Sequence, residues 1–187
     1  MTTPRSLLTI TALAASTVAV APCAVAAGVR AEVTGGHTTE AVDSGRPVAL
    51  VAGALGVPAA VFREAFSHVT PASAGQEPDP EQVRKNKAAL LEVLAPYGVT
   101  NERLDEVSNH YRYVESAGET WPHRAAVIRA RMSGGEVVGF TIVRAGSGYT
   151  TAPTVTVPGH PTLKVRVRIA FSKRFARNGR VVQVAAA

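Results

Sequence analysis

The sequence has 187 residues, 46% of them hydrophobic and 18% charged, and its 20 Lys and Arg outweigh 14 Asp and Glu for a formal net charge of +6. That length suits one domain or two small ones. The single cysteine, Cys23, excludes an intramolecular disulfide, and its place in a leader excludes Cys-ligated zinc and thiol catalysis from a processed chain.

Residues 1–27 have the layout of a secretory signal peptide: Arg5 in a short n-region, an apolar run from Leu7 to about Ala21, and small residues from Ala24 to Ala27 that suit cleavage after Ala26 or Ala27. An uncleaved anchor is the alternative, since the run approaches the roughly 20 residues that span a bilayer, but Thr11, Ser16 and Pro22 interrupt it. Acylation at Cys23 is a further one, weakened by Pro22 where a small residue belongs. The leader predicts a secreted, periplasmic or cell-surface protein with no stable membrane span after cleavage.

Beyond the leader the charge divides. Residues 28–123 hold 8 Lys and Arg against 13 Asp and Glu, and residues 124–187 hold 11 against 1. Such asymmetry speaks of partners rather than of fold. Residues 28–46, rich in Gly and Thr and without apolar period, read as a flexible linker in which His37 is solvated.

Residues 47–69 predict two short helices: Gly56 ends the first, Pro58 opens the second, and Val61, Phe62, Ala65, Phe66 and Val69 share one face. The pair resembles a helix-turn-helix. Its second helix offers only Arg63 beside Glu64, and an exported chain meets no genome, so nucleic acid is not an expected partner. After a polar loop at 70–78, Asp79 caps a helix with Pro80 in its first turn and Val83, Leu90, Leu91 and Leu94 on one stripe. Pro96 and Gly98 end it, and Thr100 caps a last helix with Leu104, Val107 and Tyr111 inward. Aligning Gly56 with Gly98 also aligns Glu64 with Glu106 and His68 with His110. The identities are few, so the echo is read as two helix pairs under the same capping rules, with an old duplication as the alternative. E-x-x-x-H on two facing helices is chemically able to hold a metal, but carboxylate–histidine bundles use a tighter E-x-x-H, so no metal or cofactor is expected. Tyr111, Tyr113 and Trp121 collect at the junction of the halves, either as cement or as platforms for a sugar ring.

From Arg124 the apolar period changes from about 3.6 to 2. AAVIRARMS, Gly134-Gly135 and EVVGFTIVRA predict a hairpin; TVTV at 154–157, TLKVRVRIAFS at 162–172, an Asn178-Gly179 hairpin turn and VVQVAAA complete an antiparallel module of about five strands. The fold class expected is α+β: linker 28–46, a small helical bundle at 47–121 and the β-module at 122–187.

Within that module, GSGYTTAPTVTV resembles the GSGYT-x-x-P-T-V repeat of bacterial surface proteins and phage tail or fibre proteins, on Gly139, Ile142, Gly146, Gly148, Tyr149, Pro153, Val155 and Gly159. The resemblance covers about residues 125–187 and implies a β-structural display unit; this chain has one copy rather than a tandem array. The helical block is similar to segments of exported bacterial proteins of unknown function. Gly-Ser-Gly-Tyr lacks the Lys and helix of a phosphate loop, and Ser147 is not in a G-x-S-x-G elbow. No catalytic residue is assigned. A hydrolase with a site assembled from scattered His, Asp and Tyr is the alternative to a binding protein.

The binding signal is charge. Alternation puts Lys164, Arg166 and Arg168 on one side of their strand and Leu163, Val165, Val167 and Ile169 on the other, and Arg129 and Arg131 repeat the pattern on the first strand. Three readings stay open: a solvated, edge-guarding face, a site for an anionic polysaccharide or envelope component, and a face covered by the acidic helical half. With Tyr149 and Trp121 as stacking rings, these five cations are the candidate binding residues.

Overall fold

The computed structural model describes residues 28–70, 79–114 and 117–187. The expected signal peptide, with Cys23, lies outside the described residues, as does nearly all of the 70–78 loop. The described chain is α+β, with four α-helices and seven antiparallel strands.

Helix α1 (Val48–Leu55) buries Val48, Leu50, Val51, Ala52, Ala54 and Leu55. A short helix apolar on all sides belongs inside a core. Gly56 ends it in the left-handed conformation (φ 79°), and α2 (Ala59–Ser67) leaves at 104° to bury Phe62 and Ala65. In α3 (Pro80–Leu94) the Asp79 side chain accepts from the Glu81 amide, and in α4 (Asn101–His110) the Thr100 hydroxyl accepts from the Arg103 amide. Each satisfies one of the orphan donors of a helix start. Leu104, Val107 and Tyr111 point inward as their spacing predicts. Val83 does not: exposure falls from 41% there to 0% at Leu94, so α3 leans on the core by its C-terminal end. No single helix among the described residues is long and apolar enough to cross a membrane.

Residues 28–46 are not a linker. They form β1 (Val29–Arg30) and β2 (Glu32–Thr34) and a 3₁₀ turn at Ala41–Asp43. Ala31, between the strands, is 5% exposed and donates its amide to the Ile128 carbonyl. The remaining strands are β3 (Val127–Ser133), β4 (Glu136–Arg144), β5 (Thr154–Thr156), β6 (Val165–Ala170) and β7 (Arg180–Ala186). Five strands fall within 122–187, and with β1 and β2 from outside that range the seven pair in three ladders: β1-β3-β4, β2-β5 and β6-β7. Gly134 and Gly135 (φ 56° and 85°) make the expected β3–β4 turn, since a two-residue turn with both φ positive matches the twist of its strands.

Packing joins the ladders: β4 lies beside β7, β5 beside β6 and β2 beside β3. The strands thus ring one core, built on Ile128, Ala130, Tyr149, Val155, Val157 and Val181. Register slips leave Val138, Val143 and Val182 as the extra residues of three bulges, and all three are exposed. A bulge resets which side chains face inward, which lets long strands close around a small core.

A second core lies under the helices, and Trp121 belongs to it. The two meet at a polar seam. Asn178, fully buried, donates to the Leu50 carbonyl (2.7 Å) and the Tyr111 hydroxyl (2.8 Å) and accepts from the Ser172 amide (3.0 Å). Asn178 was expected in a hairpin turn, but β6 and β7 are joined by residues 171–179 with a 3₁₀ turn at Phe175–Arg177. The asparagine is there for its amide, with φ −82° outside the left-handed region.

Candidate functional site

The Gly146–Tyr149 motif is a clasp. Gly148 donates its amide to the Asn178 carbonyl and accepts from Trp121 Nε1 (2.8 Å), Tyr149 donates its amide to the Gly179 carbonyl, and its hydroxyl accepts from the Ala126 amide (2.8 Å). Gly148 has φ 82°, and a Cβ there would stand 2.6 Å from the His123 Cβ. Only glycine fits such a close approach. Trp121 and Tyr149 are 4% and 1% exposed, so neither presents a face to a ligand. Both candidate stacking rings are corrected to parts of the core. Cement between subdomains is the reading of Trp121 that its geometry supports.

The five cations are exposed. Lys164, Arg166 and Arg168 point out from β6, while Leu163, Val165, Val167 and Ile169 pack on the β core. Arg129 and Arg131 point out from β3, joined by Arg30 of β1, which stands directly opposite Arg129. Arg30 carries no local signal of its place in the stripe, because β1 is only two residues long and its partner strand is remote in the chain. Arg131 lies over Gly139 of β4, where a Cβ would collide with its guanidinium. The two stripes are not one face: in either direction round the ring, two strands separate β3 from β6.

Neither stripe is covered by the helices. They dock through residues 171–179: Arg103 of α4 donates to the carbonyls of Ala54 and Lys173, and α1 meets Asn178 and Phe171 at Gly53. All ion pairs among the described residues lie between residues 40 and 106, so none involves a cation of 124–187. The stripes' polar contacts are Arg168 to the Gln183 side chain and Arg129 to the Gly28 carbonyl.

Histidines gather at the seam. His37, expected to be solvated, stacks on Tyr149 with centroids 4.8 Å apart and lies 4.4 Å from the His123 ring. Its Nε2 is buried without a hydrogen-bond partner. Burial, then the neighbouring His123, pushes the His37 pKa down, against an opposing hydrogen bond at Gly35. No local signal in 28–46 betrays this, because the loop is held by distant residues: the Gly36 carbonyl accepts from the Thr150 and Thr151 amides. His68 and His110 are not brought together; His68 contacts Glu64 (3.4 Å), Glu106 is bound to Arg103, and His110 stacks on Phe175 at 3.8 Å. No group of three or more His, Cys, Asp or Glu among the described residues is placed to hold a metal.

Of the scattered His, Asp and Tyr that a hydrolase would need, His37, His123 and Tyr149 come together at the seam, while the aspartates are engaged elsewhere. Asp43, 5% exposed, takes both Nε and Nη2 of Arg63 (2.7 and 2.8 Å), Asp79 caps α3, and Asp105 holds Lys87. Those three are all the aspartates of the chain. Arg63 is thereby committed to Asp43 and Glu40. Comparisons with known proteins add no neighbour: no family model, no curated protein and no solved structure matches the chain.

Proposed function

We propose that this is an exported, non-enzymatic binding or surface-assembly protein that contacts anionic envelope polymers through the outward stripes of its β half. The observation that carries the reading is the placement of Arg30 directly opposite Arg129 on an exposed ladder, with Arg131 two residues along and no ion-pair partner for any of them among the described residues. Like charges directly opposite destabilise a strand pair. An external anion removes that repulsion, and a polymer with a repeating charge supplies several at once. Two stripes on separate sides of the ring suit a polymer that wraps the module or two chains that it bridges, in keeping with the surface and fibre repeats that its GSGYT unit resembles.

The test is retention of the protein on immobilised heparin and on lipopolysaccharide across a salt gradient. Retention at low salt that disappears near 0.5 M fits, because the screening length falls from about 10 Å at 0.1 M toward roughly 3 Å at 1 M. Retention that ignores salt, or none at low salt, sinks the proposal.

A further inference from the structure

An open cleft of about 350 Å³ lies at the seam between the halves, with His110 and Phe175 on one side and Pro122, His123, Arg124 and Ser147 on the other. Its polar wall is set by backbone. Arg124 and Ser147 exchange two main-chain hydrogen bonds, 3.0 and 2.9 Å. Such a pair projects its side chains to the same side, with Cβ atoms roughly 5 Å apart. Gly146 and Gly148 flank Ser147, and side chains there would strike the 122–126 segment, so the glycines let the loop close and hold Ser147 beside Arg124.

The groups at this wall are unspent. The Arg124 guanidinium has no hydrogen bond or ion pair with any described residue, and neither has the Ser147 hydroxyl. His123 Nδ1 donates to the Trp121 carbonyl (3.0 Å), which leaves Nε2 available. Across the cleft the His110 ring lies nearly parallel to Phe175 (11°) with its nitrogens unengaged. No carboxylate among the described residues lines the cleft. The nearby Glu106 is tied to Arg103, and Arg103 also lies over Phe175.

A guanidinium reads a carboxylate through two parallel donors, a serine hydroxyl and a free imidazole nitrogen read hydroxyl groups, and Phe175 with Pro122 supplies an apolar side. The volume is at the lower end of ligand clefts, which run from roughly 300 to 1,000 Å³, and suits one ring rather than a chain. We infer that the seam cleft is a second binding site, distinct from the strand stripes, that takes a single acidic sugar: the carboxylate on Arg124, hydroxyls on Ser147 and His123.

Glucuronate is the probe, with glucose as the uncharged ring and inorganic phosphate as the anion without a ring. Trp121, the only tryptophan, reports on the site by fluorescence because its indole is bonded to Gly148, next to Ser147; the ring shifts of His110 and His123 give a second readout. Glucuronate is expected to saturate both signals in the millimolar range while glucose does not and phosphate binds more weakly. Arg124→Gln weakens glucuronate by about tenfold or more, the loss of a charge-assisted pair. Ser147→Ala weakens it less, and substituting Gln for Lys164, Arg166 and Arg168 together leaves it unchanged. Glucose or phosphate binding as tightly as glucuronate, or Arg124→Gln and Ser147→Ala both binding like the parent, overturns the inference. So does loss of glucuronate binding in the β6 variant, since the stripes would then be the site; failure of polymer retention alone leaves this cleft standing.

Discussion

The helical and β regions handle their charges in opposite ways. Between residues 40 and 106, Arg63, Lys85, Lys87 and Arg103 each meet a carboxylate within the chain. Residues 124–187 carry 11 Lys and Arg against one acid and form no ion pair among the described residues. Exposed pairs are worth little to stability, so the contrast concerns what each region leaves available. One pairs most of its cations within itself; the other presents cations to whatever lies outside.

The largest expected effect comes from breaking the seam that holds the two regions together. Asn178→Ala removes the three hydrogen bonds of a fully buried side chain, to the Leu50 carbonyl, the Tyr111 hydroxyl and the Ser172 amide, and is expected to cost about 3 kcal/mol, at about 1 kcal/mol for each bond. A urea midpoint within error of the parent would show that the regions do not depend on this joint. Gly148→Ala, forced to φ 82° with its Cβ 2.6 Å from that of His123, is expected to lose about 2 kcal/mol in the same assay.

Within the helical region, Arg63→Met strips a nearly buried Asp43 of its bidentate partner. About 1.5 kcal/mol is expected, toward the low end for charged hydrogen bonds because Arg63 is partly exposed. A smaller effect follows from pH. Burial lowers the His37 and His110 pKa values below the ordinary 6.5, so the unfolded chain binds these protons more readily than the folded one. Stability is fully present above pH 6.5 and falls as pH drops below it. His37→Gln should flatten part of that decline in urea midpoints taken at pH 7.5 and 5.5; an unaltered decline would place its cause elsewhere. The smallest stability effect belongs to the stripes: Lys164→Gln, Arg166→Gln and Arg168→Gln together should stay within about 0.5 kcal/mol of the parent.

These contrasts follow how much of the molecule was legible in its sequence. Asp79, Gly56, Thr100 and Gly98 act locally, so the helices and their ends could be read. The β3–β4 hairpin was equally local, as was the outward set of Lys164, Arg166 and Arg168. What failed was long-range. β1 and β2 are too short to show a period, and their partners, among them Ala130 and Val155, are remote in the chain. His37 looked solvated for the same reason, and Trp121 and Tyr149 looked available because aromatic rings in turn-rich sequence do not disclose what covers them. Asn178-Gly179 has the signature of a tight turn, yet the buried amide of Asn178 answers to Leu50 and Tyr111 in the other region.

The measurement that tests the account most directly compares two variants of equal net charge on a heparin column over one salt gradient. One replaces Lys164, Arg166 and Arg168 with Gln; the other replaces Arg84, Lys85 and Arg112 of the helical region, all exposed. The account predicts that the first elutes at clearly lower salt than the parent and the second close to it. Equal shifts would mean that the column senses net charge alone, and would contradict a binding face built into the β half.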